Sequence, residues 1–589
     1  MKRQILLFAA AALTSTAAFS QTDAPAFPGA EGHGRYVTGG RGGEVRVVTN
    51  LNDSGEGSFR EAVKGSAKKI VVFNVGGVIP LESELKIGAN TTIAGQTAPS
   101  PGITLRYYTL RPGNNNIIRF IRVRRGGERD ITDSADAIWT RGTTGVILDH
   151  CSFSWSIDEV ASNYDNNNFT MQWCTVAEGL DTGHSKGEHS YGGIWGGKLA
   201  SFHHNLIAHV LNRVPRFNGA RYENDNIDFK DNLLYDEYKW ENCVQAENVD
   251  FRNCIMYNWG DTNGCYGGPG GGQINIVNNY YKGGPITPDD KANRVTQISV
   301  ASSSNSGDHS NMYDMTSRYF INGNTTETNK GEITRNRDYA GVILDRGTVS
   351  IDGARWSKDE NHFYDESVPR QDYNGESYIR INMDKPAPTG DITTHSAENA
   401  LEKVLSYCGA SLNRDVIDTR YMEEVRTGTA KCEGSTSGTQ GILDLASDAI
   451  DYYDETSFSK GERAADFDTD GNGIADEWER ANGLTVGTVD PNGYDIDTKG
   501  WYTNIEVYAN SLVENIVKAQ NGLGASFTLR DLEHPEKVIR VHYRGALPDT
   551  FEKGAEVIVE GRMDGRDFTA KTLMTKCPSK YEKSNREHA

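Results

Sequence analysis

Between residues 115 and 282 short apolar runs recur, each leading into a small or amide residue: NNIIRFIRVR, TGVILDHCSF, NNFTMQWCTV, ASFHHNLIAH, NIDFKDNLLY, NVDFRNCIMY and INIVNNYYKG. The matching positions are Arg122, Cys151, Cys174, Asn205, Asn232, Cys254 and Asn279, at intervals of 29, 23, 31, 27, 22 and 25 residues. One strand-like run per period, with variable loops between, predicts a β-solenoid. Coils stacked at about 4.8 Å align equivalent side chains in ladders. An Asn at a turn can then give its amide to the next coil, while Cys packs as a small interior residue. A β-propeller needs about 40 residues per blade, and a sandwich sustains no period this short. The pattern therefore predicts an all-β chain with stacked strands.

Helical patterning is confined to SFREAVK (58–64) and to 396–425, where SAENALEKVLSY (396–407) reads as an amphipathic helix capped by Ser396, with Glu398 in its first turn. From about 290 to 395 the repeat fades into Ser-, Asn-, Asp- and Gly-rich sequence, read as loops and irregular strands over the solenoid. Near 520–525 the composition changes to a Lys/Glu-rich, strand-patterned tail. The expected division is a leader over 1–20, a solenoid over 21–290, a C-terminal part of the same module over 291–520, and a separate segment over 525–589.

Lys2 and Arg3 precede an apolar run from Ile5 to Leu13, closed by Ala17, Ala18 and Ser20, which reads as a secretory signal peptide. A mature chain starting near Gln21 is expected to be exported, either periplasmic or fully secreted. No cysteine lies at that junction to carry a lipid, and no other run reaches the about 18 apolar residues of a spanning helix. A monomer is the expected state. The net charge of -20 argues against nucleic acid as a partner. Eight cysteines are too sparse for a stapling framework; Cys408 and Cys432 stand as a possible bridge or as buried thiols, and a Cys151–Cys174 bridge is borderline on ladder spacing.

Charged residues on the solenoid share a register: Asp136, Asp158, Lys186 and Arg213 are separated by 22, 28 and 27 residues, one coil each. Any one alone reads as a surface charge, but together they predict two carboxylates and two cations on one lateral groove. Carboxylates about 5 Å apart do not both ionise without a cation between them, and oxygen donors select Ca²⁺. Trp139, Trp155, Trp173 and Trp195 recur nearby, with core packing the default and sugar stacking the alternative. Asp468, Asp470, Asn472, Gly473, Asp476 and Glu479 occupy positions 1, 3, 5, 6, 9 and 12 of an EF-hand-type loop, a candidate structural calcium site.

The run VILDHCSFSWSID (146–158) resembles the signature of polysaccharide lyase family 1, the pectate lyases, and HHNLIAHVLNRVPRF (203–217) resembles its second signature, ending R-x-P-R. GAEGHGRYVTGGRGGEVRVVTNLNDSGEGSFREA, TTIAGQTAP, QWCTVAEGL, GGIWGG, NNYYKGGP and SAENALEKVLSYCGASLNRDVIDTR extend the likeness over about 29–515. The resemblance implies a right-handed parallel β-helix with irregular C-terminal decoration. It also implies Asp136 and Asp158 as calcium ligands, Arg213 as catalytic base, Arg216 as its supporting arginine and Lys186 as a substrate-binding lysine. Two positions depart from the family. Ser162 stands where a further carboxylate ligand is expected, with Glu159 as the substitute, and Asn218 stands where a further arginine is expected, with Arg221 within reach of that role.

The activity so implied is β-elimination on polygalacturonate, in which loss of the C5 proton, α to a carboxylate, expels the C4 oxygen. Guanidinium holds its proton strongly, so the base role requires Ca²⁺, Lys186 and Arg216 to depress the affinity of Arg213 for its proton, or else a water or hydroxide takes the proton while Arg213 stabilises charge. A pectic glycoside hydrolase would need two carboxylates flanking the bond and no calcium. A non-catalytic glycan-binding solenoid is the third class, suggested by Ser162 and Asn218. The tail, VIRVHYRGALPDTFEKGAEVIVEGRMDGRDFTAKTLMTKCPSKY, resembles the C-terminal part of the cytochrome c maturation haem chaperone E, an OB-type barrel. That likeness implies a partial OB-like sheet, with Cys577 and Tyr581 in the haem-linking motif, either a vestigial fusion or a haem-binding segment.

Overall fold

The computed structural model describes residues 24–129, 136–219, 247–260, 264–300, 316–352, 354–358, 380–452, 454, 459–520, 523–530, 538–546, 557–564 and 567–575. The leader at 1–20, together with Arg221, Asn232, Cys577 and Tyr581, lies outside them.

The apolar runs form the strands of a right-handed parallel β-helix with three faces. The first face stacks Glu44–Val48, Lys69–Phe73, Thr91–Ala94, Asn116–Arg119, Thr144–Asp149, the second half of Ala161–Gln172, Ala200–His203, Glu247–Arg252, Gly272–Val277 and Arg318–Asn322, all parallel. The second runs from Val75–Pro80 through Ser152–Ser154 and Leu206–Val210 to Thr325–Glu327. The third carries Ile138–Arg141, the first half of Ala161–Gln172, Ile194–Gly197 and Arg216–Phe217, and continues to Val342–Leu344. Coiling thus passes the boundary expected at 290. The strands beyond it are short and separated by polar excursions, which hides their period.

Between the first and second faces, each coil from Asn116–Arg119 onward turns through one residue of positive φ: Phe120, His150, Trp173, His204, Asn253, Asn278 and Gly323. Left-handed backbone costs a bulky residue about 1–2 kcal/mol, and stacking offsets it. Phe120 lies on His150 with centroids 4.7 Å apart, and Trp173 on His204 at 4.2 Å. Trp173 is therefore a turn residue.

The position after each turn forms the ladder Ile121, Cys151, Cys174, Asn205, Cys254, Asn279, Asn324. Asn205 accepts from the Cys174 amide at 2.8 Å and donates to the Met171 carbonyl at 2.8 Å. Asn279 and Asn324 repeat the device on their own lower coils. Two readings of the repeat are corrected. Ile121, not Arg122, underlies Cys151, because the alternating side chains send Ile121 into the core and Arg122 outward to Asp415. Asn205 stacks directly on Cys254, 49 residues away, so no further coil separates them; Asn232, read as a coil position, lies outside the described residues.

The six described cysteines are buried free thiols, including the Cys151/Cys174 neighbours and the Cys408 and Cys432 pair. Burial pushes the Cys174 thiol well up, with the Cys151 thiol beside it. Helix Ala397–Tyr407 is capped by Ser396, whose Oγ accepts from the Asn399 amide at 3.3 Å. It and helix Val416–Thr427 cover the second face. Asp415 and Asp418 of that decoration pair with buried Arg124 at 3.0 and 2.8 Å. In the tail, Leu523–Arg530, Val538–Ala546, Asp567–Thr575 and Val557–Asp564 lie in that order in one sheet.

Glu178 is the tightest link between helix and solenoid: Arg420 donates to it at 2.6 and 3.1 Å, Tyr421 at 2.7 Å and Trp155 at 2.9 Å. Burial opposes the charge, but Arg420 outweighs it and holds the carboxyl down at about 2, against an ordinary 4.5. The resulting stabilisation is complete above about pH 4.5 and is lost as pH falls through the folded value of about 2. Glu178→Gln is expected to lower unfolding free energy near neutrality by about 1.5–3 kcal/mol, the loss of hydrogen bonds to a charged partner, while Arg420 keeps Asp451 at 2.8 Å. Chemical denaturation at pH 7 and pH 3 should show the difference from the parent chain shrinking in acid.

Candidate active site

The charged cluster forms where the chain enters the third face. Parallel pairing of Ile138 with Ala161 puts Asp136 level with Glu159, and bridges continue that row to Tyr191 and Asn212. Asp136, Asp158 and Glu159 converge there, each offering an oxygen within 4.8 Å of the others. Glu159 forms an ion pair with Arg213, whose backbone is left-handed at φ 57° and whose amide donates to Asn212 Oδ1 at 2.8 Å. Asp136, Asp158 and Arg213 thus lie close together on one wall.

The coils approach closely at this point. A Cβ on Gly193 would lie 2.0 Å from the Ala161 carbonyl oxygen, and one on Gly192 would lie 2.4 Å from that of Arg213. The first glycine pair of GGIWGG is what this approach demands.

Lys186 is not level with the carboxylates. It sits exposed on the loop between Thr175–Ala177 and Ile194–Gly197, and its amide donates to His184 Nδ1 at 3.0 Å. The coil position that spacing assigned to it is filled by His189 and Tyr191, because the insertion 181–191 adds a bulge before the strand. His189 Nε2 lies 2.7 Å from Asp158 Oδ1 and His184 Nε2 lies 3.7 Å from the same oxygen. Since His184 Nδ1 accepts a hydrogen bond, the neutral ring carries its hydrogen on Nε2, facing the carboxylate. The two imidazoles stack at 4.1 Å, His189 lies 3.8 Å from the Tyr191 ring, and the Arg213 guanidinium lies over the Tyr191 ring at 4.7 Å. Sequence reasoning missed His184, His189 and Tyr191; two histidines flanking a lysine within DTGHSKGEHSYGG were the available signal.

Electrostatics separate the carboxyls. Burial and the neighbouring Asp158 charge push Asp136 well up, and its Oδ2 has no hydrogen-bond partner among the described residues. Asp158 is held below the usual carboxylate range: burial, the largest influence, works against it, and His189, His184 and Arg213 together outweigh burial. Burial, reinforced by Arg216, lowers the proton affinity of Arg213 although Tyr266 opposes it. Ser162 hydrogen-bonds Asp136 rather than adding a carboxylate, and Asn218 donates to Asp165 Oδ1 at 2.9 Å, away from the cluster. A buried carboxylate oxygen without a partner, in a set of hard oxygen donors, suits a divalent cation such as Ca²⁺.

Of the tryptophans, Trp155 and Trp195 are fully buried, and Trp139 is half-buried under the Arg111 guanidinium at 4.3 Å. In the EF-hand-type loop, Asp468, Asp470 and Asp476 form a second carboxylate cluster. Among the described residues no helix is long and apolar enough to cross a membrane.

A parallel β-helix carrying this cluster on one flank fits a polysaccharide lyase, and the curated relatives show that class. The chain is 32% identical to "Probable pectate lyase C" of Aspergillus flavus, over 83% of this chain and 94% of the relative. The Aspergillus fumigatus protein of the same name is 32% identical over 85% of this chain and 97% of the relative. The chain belongs to the pectate lyase family. Solved structures that match include a thermostable pectate lyase (15% identity, TM-score 0.39, 67% of this chain and 99% of that one) and a pectate lyase bound to a hexasaccharide (15%, 0.35, 66% and 98%). Residues 500–584 match the CcmE domain model.

His189→Ala removes a hydrogen bond to a charged carboxylate, worth about 1.5–3 kcal/mol, so kcat/KM of the lyase should fall about 10–100-fold. His189→Gln, which retains a donor, should recover part of that loss in initial-rate assays, with melting temperature unchanged between the two variants.

Proposed function

We propose that the chain is a calcium-dependent pectate lyase that cleaves polygalacturonate or pectin by β-elimination and releases unsaturated oligogalacturonides. The observation that carries this reading is the gathering of Asp136, Asp158 and Glu159 beside Arg213, with one buried carboxylate oxygen unpartnered. The names of the relatives support the same substrate.

Asp136, Asp158 and Glu159 would hold Ca²⁺ from the protein side, with His184 and His189 keeping Asp158 ionised and oriented. When bound, the ion supplies a Lewis acid toward the uronate carboxylate α to the reacting carbon. It also offsets the repulsion between an acidic polymer and a chain of net charge -20. Arg213 is the base in this reading. Its guanidine, desolvated and pressed by the charge of Arg216, takes the C5 proton; the C4–O bond breaks, the C4=C5 bond forms, and the departing oxygen is protonated from solvent. Lys186 and Arg216 contact uronate carboxylates, Lys186 from the exposed loop. Arg221 is assigned to the same substrate groups on the sequence alone. Because a hydrolase would leave no such alkene and a binding module no product at all, the products discriminate the three classes. Action outside the cytoplasm rests on the leader read at 1–20.

Incubation with polygalacturonate is expected to release ends absorbing in the ultraviolet, and EDTA to abolish them. Reducing ends without that absorbance would establish a hydrolase instead. Arg213→Lys should lower kcat about 10²–10⁴-fold, the ordinary range for a lost general base, and near-parent activity across alkaline pH would overturn the base role.

For the tail, the match to the CcmE domain supports haem capture through Cys577 and Tyr581. The full chain incubated with haemin should develop a Soret band that Cys577→Ala diminishes; no band in the parent chain would refute this reading.

A further inference from the structure

The loop at 468–479 lies far along the chain from the lyase residues and is built as a closed turn. Asp468 accepts from the Asn472 and Gly473 amides at 3.1 and 3.0 Å, and Asp476 accepts from the Thr469 amide and hydroxyl at 2.9 and 2.8 Å. Gly473 has φ 89°, and a Cβ there would lie 2.8 Å from Val45 Cγ1, so both backbone shape and packing require glycine. These features close the loop without indicating a ligand.

Glu479 does indicate one. Its side chain is 0% exposed, its Oε1 accepts from Asn472 Nδ2 at 2.8 Å, and its Oε2 is buried with no partner among the described residues. Burial, then the charges of Asp470, Asp476 and Asp468, pushes this carboxyl up. The cation paired with this cluster is Arg480, 3.0 Å from Asp476 Oδ2 and itself largely exposed, so it does not neutralise Glu479. A buried, unpartnered carboxylate oxygen on which the charges of three further carboxylates act is costly unless a cation offsets them.

The loop is also placed to transmit binding to the fold. Ile474 and Ala475, immediately after the turn, pack with Ile505, Tyr508 and Ala509 of helix Asn504–Ser511 on the outward side chains Ile70, Val72 and Ala94 of the first coils. Glu506 of that helix adds a buried ion pair with Arg41 at 2.9 Å.

We propose that Asp468, Asp470, Asn472 and Glu479, with Asp476 behind them, form a calcium site separate from the lyase cluster, which clamps the 468–511 segment onto the first coils. Oxygen-only donors, with the unpartnered glutamate at the twelfth position, favour Ca²⁺ over a softer ion. Its role is structural, and it stands whether or not the lyase reading does.

Calcium titration of the full metal-stripped chain by calorimetry, with terbium luminescence sensitised by Trp478, reads the site directly. The parent chain should show a binding class that Asp470→Asn weakens about 10-fold or more, since affinity follows ligand charge. The calcium-induced rise in melting temperature should shrink in the same variant. Asp470 is exposed, so this substitution leaves the packing intact; Glu479→Gln is the second variant. Lyase turnover at saturating calcium should stay within about twofold of the parent in Asp470→Asn. Unchanged stoichiometry, affinity and calcium-dependent melting in both variants would overturn the proposal. Loss of turnover with unaltered calorimetry would equally count against it, and a parent chain without lyase activity would leave the binding result fully readable.

Discussion

Parallel hydrogen bonding of each coil to the next is the constraint on which the rest of the structure depends. It sets a spacing of about 4.8 Å between equivalent residues, and that spacing turns separations of twenty to thirty residues along the chain into side-by-side contacts. The left-handed turn residues tolerate their conformation because Phe120, His150, Trp173 and His204 repeat at the same corner and stack. The asparagines behind them satisfy buried amides one coil away. The same register sets Asp136, Glu159, Tyr191 and Asn212 in one row, so the candidate active site is a consequence of stacking rather than of any local motif.

An acidic chain must dispose of its buried carboxylates, and this one does so in two ways. Asp149, Glu178, Asp415 and Asp418 are matched by Arg119, Arg420 and Arg124, and three of these four links join the solenoid to its helical cover. Asp136 and Glu479 are not matched in this way, and each keeps one buried oxygen without a partner among the described residues. Burying a carboxylate unpaired is expensive; Asp444 Oδ1 is likewise without a partner, but Asp136 and Glu479 stand among further carboxylates, where a cation has a physical reason to sit. Arginines serve the structural sites, whereas at the lyase cluster Arg213 pairs with Glu159 and its proton affinity is lowered by burial.

The tail raises a different question of boundaries. The CcmE match begins at residue 500, whereas helix Asn504–Ser511 packs against Ile70, Val72 and Trp478 as part of the lyase module. The structural unit of the tail therefore starts after that helix, with the sheet whose first strand is Leu523–Arg530. A match in sequence and a unit of packing differ here because Ile505 and Tyr508 bury their side chains against the lyase coils, whatever the sequence of the helix resembles.

The solenoid, its strand runs, the Ser396-capped helix and the lyase signatures were legible in the sequence, because strand patterning, capping and ladder positions are local or strictly periodic. The spacing also drew Asp136, Asp158 and Arg213 toward one groove, although the row level with Asp136 is Glu159, Tyr191 and Asn212, and Asp158 and Arg213 each lie one residue off it. What only the tertiary structure decided were the features set by insertions: the direct stacking of Asn205 on Cys254, the coiling beyond 290, and the displacement of Lys186 by His189 and Tyr191. An insertion changes the number of residues in a coil without changing where the coil returns. Spacing along the chain then ceases to report position in space, and hydrogen bonding between neighbouring coils alone determines which side chains meet.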